Sequence, residues 1–433
     1  MLVNLSEGVF MTTTQKASKY GIFLVILGAV FYCYEYFLRI APSVMHADLM
    51  QYFNIDATMF GALSGFYYYA YTPMQLVVGV MLDRYKTKYV ITFAILACAV
   101  GSLLFASTTD YYIAAAGRFM QGLGSAFAFI GALKLASRYL SAWWFASFAG
   151  TCTALGFLGG ATGDIALTHL MQVMGWQQLI MIFVVIGFVL ATVFFLCMNF
   201  RSKKLKIFDN QAEMPLTLKA AILQLLSLFK QPYLWAAGIL GALLYLPTMV
   251  FADLWGISYL QEFHGYSLTT AGLACSMIYF GWVIGAPFHG IFSNLLNRRL
   301  GPIFWGSVLA FVISIVVLYN THLSFFMVCA LFLLLGIVSS VQCLVFAMGS
   351  DVCTPRTIAM TMAFINFFVM LSGLFMQTGV GWLLDLSWSG TMQNGARVYT
   401  SIDYQHAMLV VPISLVLAAI LALLVKDKKL RLK

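Results

Sequence analysis

Charge is what this chain has least of: 9% of its 433 residues are Asp, Glu, Lys or Arg, and 15 residues in all are acidic. A chain this long with so little polar surface cannot close over a water-soluble core. Paired cysteines are missing too. Cys33, Cys98, Cys152, Cys197, Cys275, Cys329, Cys343 and Cys353 are scattered through or beside apolar stretches without CxxC spacing, so they read as small hydrophobes and not as disulfides or metal ligands. No HExxH, GxSxG or P-loop spacing occurs and the six histidines are dispersed, which argues against an enzyme and implies no cofactor. No filter-like re-entrant sequence lies between the apolar runs, which argues against a channel. A cleavable signal peptide is not evident, since residues 1–19 are polar and the first apolar run is of spanning length.

What the chain has is apolar length: 62% hydrophobic residues and a mean hydropathy of +0.91. A spanning helix needs about 20 apolar residues. Twelve such stretches can be drawn, at 21–43, 58–81, 89–107, 111–137, 143–169, 178–199, 232–256, 268–292, 301–319, 324–348, 356–384 and 405–425. The expected fold is an all-α membrane protein of twelve transmembrane helices. Of the 24 Lys and Arg residues, Arg39, Arg118 and Lys134 fall within spans and Arg397 in a loop on one side; all the others fall in the tails and loops of the opposite side. Positive charge marks the cytoplasmic face. Both termini are therefore expected in the cytoplasm, in a bacterial-type inner membrane. The net charge of +9 follows from that topology and calls for no nucleic-acid partner.

A weak copy of the chain recurs 211 residues on: Gly61 matches Gly272, Gly79 matches Gly290, Asp83 matches Asn294 and Lys88 matches Arg299. The plan is two pseudo-symmetric six-helix bundles, 21–199 and 232–425, with tails at 1–20 and 426–433. Residues 200–231 form a cytoplasmic linker whose second part alternates lysines with apolar residues at helical spacing, as in a helix lying on the membrane surface.

The loop after span two reads Gly79-Val-Met-Leu-Asp83-Arg84-Tyr-Lys86-Thr-Lys88. It resembles the signature of the major facilitator superfamily, with Lys86 where a glycine is usual. Arg118, Gly122 and Gly124 in span four, Gly175-Trp176, and Asn366, Gly373, Gly379 and Gly381 in span eleven extend the resemblance. It implies two rocking halves and a conformational latch made of Gly79, Asp83, Arg84 and Lys88. Asp83 is expected to dock on the start of span eleven near Arg356 in one state only. In the second half Asn294 replaces the acid, so that latch should be weaker, with Asp351 facing Arg298 or Arg299 in its place.

An ionisable side chain in hydrocarbon costs about 3 kcal/mol on insertion scales, so each one needs a reason. Glu35 and Arg39 in span one are four apart, on one helical face. They form either a self-neutralised ion pair, or an anion site in which Arg39 grips substrate beside Tyr36 while Glu35 carries a proton. This span resembles the anion:cation symporter branch, whose span-one arginine binds carboxylate and whose span-four arginine matches Arg118. The branch's coupling carboxylate is Ser125 here, leaving Glu35, Asp164 or Asp253 for proton coupling. Arg118 with Asp164 is a second candidate pair. Tyr68, Tyr71 and Gln75 share a face of span two and are expected to line the cavity, with Gln121 from span four and the amides Gln342, Asn366 and Gln377 from the second half.

The expected function is secondary transport of a small organic anion, a carboxylate, sugar acid or polycarboxylate, by alternating access in symport with protons. The expected partners are that substrate, protons and lipid, with the chain acting as a monomer. Asp253 beside Arg39 would also suit the amine of a zwitterion, leaving an amino-acid or short-peptide transporter as an alternative. A multidrug efflux antiporter is a weaker one, because Phe157 stands where such proteins carry proline. Sensing by a transporter-like fold is a further reading, separable from transport by flux into liposomes.

Overall fold

The computed structural model describes residues 19–140, 142–202, 223, 225–353, 357–393 and 396–426. Most of both tails, most of the 200–231 linker and Arg356 lie outside the described residues, as does the side chain of Asp83. Among the described residues the architecture is almost wholly helical. Ten segments are long and apolar enough to cross a membrane. We number the rods α1 (Lys19–Val44), α2 (Ala57–Arg84), α3 (Thr87–Ser107), α4 (Tyr111–Tyr139), α5 (Ala142–Val173), α6 (Trp176–Ser202), α7 (Pro232–His264), α8 (Leu268–Leu296), α9 (Leu300–Tyr319), α10 (Phe325–Ser350), α11 (Ile358–Ser387) and α12 (Ser401–Leu424). The two rods outside the ten are α2 and α5, which are 28 and 32 residues long.

Helix starts at one end of the bundle are fixed by short polar side chains. Asp56, Asp110, Ser267 and Ser324 each accept from backbone N–H groups of the following turn, and Thr400 forms a capping box with Asp403. This is the end without excess positive charge, called outer below. Four rods are not regular throughout, α12 being interrupted at Leu409. α4 breaks at Ala126–Phe127, α10 tightens to a 3-10 turn over Ser340–Cys343, and α7 widens to a π-helix over Pro247–Trp255. Pro73, by contrast, sits inside α2 without ending it.

The bundles meet along two seams, α2 on α11 and α5 on α8. Gly61 lets α2 approach the backbone of Gln377 and Thr378 so closely that a methyl group there would collide with it. Gly79 follows 18 residues later, five turns of 3.6 and so on the same face, yet nothing lies within 4 Å of where its Cβ would be. The repeat shows the same thing: Gly272 abuts Thr168 of α5, while Gly290 has open space within 4 Å. Both seams are closed at the outer end and splayed at the end where α1 starts and α12 stops.

Candidate functional site

Near its outer end α1 presents Arg39 to the opposite bundle. Its Nη2 and Nε donate to one oxygen of Asp253 at 2.8 and 3.1 Å, Nε also to the Tyr68 hydroxyl at 2.9 Å, and Nη2 to that of Tyr245 at 3.2 Å. The other Asp253 oxygen accepts from Tyr279 at 2.7 Å. Arg39 and Asp253 are 5% and 1% exposed, so both charges are desolvated, and both carboxylate oxygens of Asp253 accept strong hydrogen bonds. The guanidinium lies 5.2 Å from the ring of Tyr36 and 5.5 Å from that of Tyr68.

The arrangement is pseudo-symmetric. Tyr279 follows Tyr68 by the 211 residues of the sequence repeat, and Asp253 follows Arg39 by 214. Gly122, whose absent side chain lets α4 touch Tyr67, is followed 214 residues later by Gly336, which meets Ile278 in the same way. An acid and a base thus occupy equivalent positions of the two halves. The π-helical turn, begun by Pro247, carries Met249 and Asp253 into this centre.

Other expected pairs are not formed. Glu35 is not joined to Arg39, which reaches across to the other bundle; instead Oε1 accepts from Tyr67 at 2.5 Å, and Oε2 is enclosed with no partner. Arg118 does not meet Asp164. It donates to the Leu38 carbonyl at 2.8 Å and to Gln121 at 2.7 Å beneath the Tyr67 ring, while both Asp164 oxygens are without a hydrogen bond. Tyr68, Tyr71 and Gln75 do share a face, but all three are buried in this conformation instead of bordering open space. Tyr71 stacks on Tyr67, and Gln75 accepts from Asn366 of α11 at 3.0 Å, a second link between the halves. Gln121 also donates to Ser102, Gln342 is buried near Gly241, and Gln377 donates to the Met249 carbonyl at 3.2 Å.

Among the expected latch residues, Arg299 donates to Asp351 at 3.0 Å and to Asn294 at 2.8 Å, tying α10 to the α8–α9 corner within the second half. Lys88 reaches Asn199 at 2.9 Å over the Phe195 ring, within the first half. Arg84 and Arg298 are exposed.

Sequence reasoning missed the outer closure. Asp385 of α11 accepts from the Thr58 backbone at 2.8 Å and hydroxyl at 2.5 Å, from Tyr399 at 2.5 Å and from Arg397 at 3.0 Å; Arg397 also stands 3.9 Å from Asp56, and Tyr399 accepts from the Ala57 N–H. A two-stranded hairpin, Met392–Gln393 against Ala396–Arg397, presents that arginine. Beneath it His46 packs edge-on between Phe60 and Trp255; on the inner side of the Arg39–Asp253 centre, Phe157 of α5 stacks on Trp282 of α8 at 4.6 Å. His46 keeps part of its surface exposed, but Nε2 is enclosed without a partner, and burial pushes its pKa down from 6.5 to about 4. The signal available was Arg397 itself, the one basic residue in a loop on the wrong side.

Comparison with known proteins fits this construction. The membrane sensor protein UhpC of Escherichia coli is 26% identical over 295 residues, 63% of this chain and 64% of that one. The uncharacterized transporter YybO of Bacillus subtilis is 30% identical over 135 residues, 30% of this chain and 31% of that one. Among solved structures, a bacterial homolog of the human lysosomal transporter Spinster, inward-facing and unoccupied, superposes with a TM-score of 0.76 at 13% identity over 94% of this chain and 97% of that one. The nucleoside transporter NupG gives 0.69 at 16% identity, over 94% and 99% of the two chains. The family model described as Major Facilitator Superfamily matches residues 24–377, and with two bundles meeting at two glycine-lined seams this chain belongs to that superfamily of membrane transporters.

Proposed function

We propose that the protein moves a small organic anion, a carboxylate, sugar acid or polycarboxylate, across a bacterial-type inner membrane in symport with protons. In this reading both termini are cytoplasmic, the splayed end faces the cytoplasm and the conformation is inward-open. The observation that carries it is Arg39 held by Asp253 of the opposite bundle. Asp253 occupies the place that a substrate carboxylate would take on the guanidinium fork. A substrate anion can displace it only if the Asp253 charge is neutralised, since two carboxylates on one buried arginine would leave a net charge in low dielectric. Proton to Asp253 and anion to Arg39 is a neutral exchange, and it frees the two halves from each other. Glu35, with one oxygen free beside Tyr67, is a second acceptor for the proton. Gln75, Asn366 and Gln377 orient the rest of the substrate.

One alternative has an observation behind it. Arg39 and Asp253 together offer one charge of each sign, which fits the carboxylate and amine of an amino acid or short peptide. A thermal-shift screen of the purified protein against carboxylates, sugar acids, amino acids and dipeptides separates the two. The anion reading expects carboxylate stabilisation that vanishes in Arg39→Ala; stabilisation by zwitterions alone would replace it.

A further inference from the structure

Asp164 of α5 is fully buried, and neither of its oxygens has a hydrogen-bond donor. It belongs to the stripe Gly160, Asp164, Thr168, spaced by one turn each, that α5 turns toward α8. Gly160 abuts the Tyr279 ring and Thr168 abuts Gly272, so the antiparallel register between these contacts sets Asp164 opposite Cys275. The titratable groups around it are Cys275 and Tyr279 of α8 and Asp253 of α7, with Arg39 beyond Asp253. The α1 side chains at the adjacent Gly163, Phe37 and Ile40, are apolar. The equivalent positions of the related seam carry no acid: 214 residues after Asp164 stands Thr378, and 211 before Cys275 stands Ser64.

A carboxylate stripped of water and of every donor is not sustained as an anion, whereas its protonated form is. A metal cation would need a shell of oxygens. The nearby Thr168 hydroxyl is already spent on the Asp164 backbone carbonyl, and the facing α8 positions are a glycine, a thiol and an aromatic ring. The ligand that fits is a proton.

We propose that Asp164 is a proton-binding site that holds the outer part of the α5–α8 seam closed when occupied and opens it when the proton leaves. An ionised Asp164 requires water, which reaches it when α8 separates from α5 at the outer end; the proton is therefore taken up from the outer side. This rests on the two-conformation reading above and on no particular substrate.

Cys275, buried in the same seam, is a native reporter. In the full chain in nanodiscs, its maleimide labelling is read by mass spectrometry and divided by labelling of the same peptide, free in solution, at the same pH. The ratio of ionised to protonated carboxyl changes about tenfold per pH unit, and the normalised rate should rise by about that factor per unit before levelling. In Asp164→Asn, which mimics the protonated form, the rate should stay at its low-pH value throughout, and Asp164→Glu should restore the rise. If the Asn variant does not fold, Asp164→Ser carries the same expectation. An unchanged rise in either neutral variant overturns the proposal, and so does protection of Cys275 by sodium ions at fixed pH. Ligand-free labelling tests the seam and Arg39→Ala binding tests the substrate site, so the two readings fail separately.

Discussion

Breaking the Arg39–Asp253 pair from one side leaves a buried charge alone, and this is the perturbation with the largest expected consequence. Both side chains are under 6% exposed, the closest approach is 2.8 Å, and the carboxylate is held further by Tyr68 and Tyr279. Removing one member of such a pair costs about 3–5 kcal/mol, whereas replacing both with apolar residues of similar volume is close to neutral. Arg39→Met and Asp253→Leu should each lower apparent thermal stability strongly, and the double variant should recover most of it, with a coupling energy of at least ~2 kcal/mol. Because the pair joins the two bundles, each single variant should also shift the protein away from the outer-closed conformation, as read by spin-label distances across the outer loops. Single losses that simply add in the double variant would refute the reasoning, because they would mean that the two charges do not sustain each other.

Three further outcomes are expected. Gly61→Ala places a methyl group against the Gln377 backbone and should open the outer end by an overpacking cost of about 1–3 kcal/mol, while Gly79→Ala, facing open space, should leave this conformation intact; outer-loop spin-label distances distinguish them. Tyr279→Phe removes a hydrogen bond to a charged carboxylate and should reduce apparent stability by about 1.5–3 kcal/mol in a melting measurement. His46 has a folded pKa depressed from 6.5 to about 4, so its contribution to outer closure is complete above 6.5 and is lost as pH falls toward 4. Outer-loop distances should therefore lengthen in that window, and His46→Phe should abolish the change.

The helices were legible because lipid imposes an apolar run on each one, and the buried polar residues were legible because each is expensive. Their partners were not. Arg39 and Glu35 share a helical face in sequence, yet a long guanidinium stem reaches as readily to the opposite bundle as to its own turn, and helical spacing carries no information about that bundle's register. The repeat did hold the answer in part. Extending the 211-residue offset from glycines to Tyr68 leads to Tyr279, and the nearby offset of 214 leads from Arg39 to Asp253. Pro247 within a span was the mark of the irregular turn that aims Asp253 inward. The outer closure joins the helix ends at Thr58 and Asp385 to the 388–400 connection, whose polarity is ordinary and where periodicity says nothing. Its one visible sign was an arginine on the side that lacks them.

The most direct test of the account is accumulation of a carboxylate found in the binding screen, in liposomes holding the purified protein, with and without an imposed pH gradient. Uptake should follow the gradient, disappear in Arg39→Ala and lose its gradient dependence in Asp253→Asn. Ligand binding with no flux under any gradient would contradict it and make the protein a sensor. Flux indifferent to Arg39 would contradict the assignment of the site.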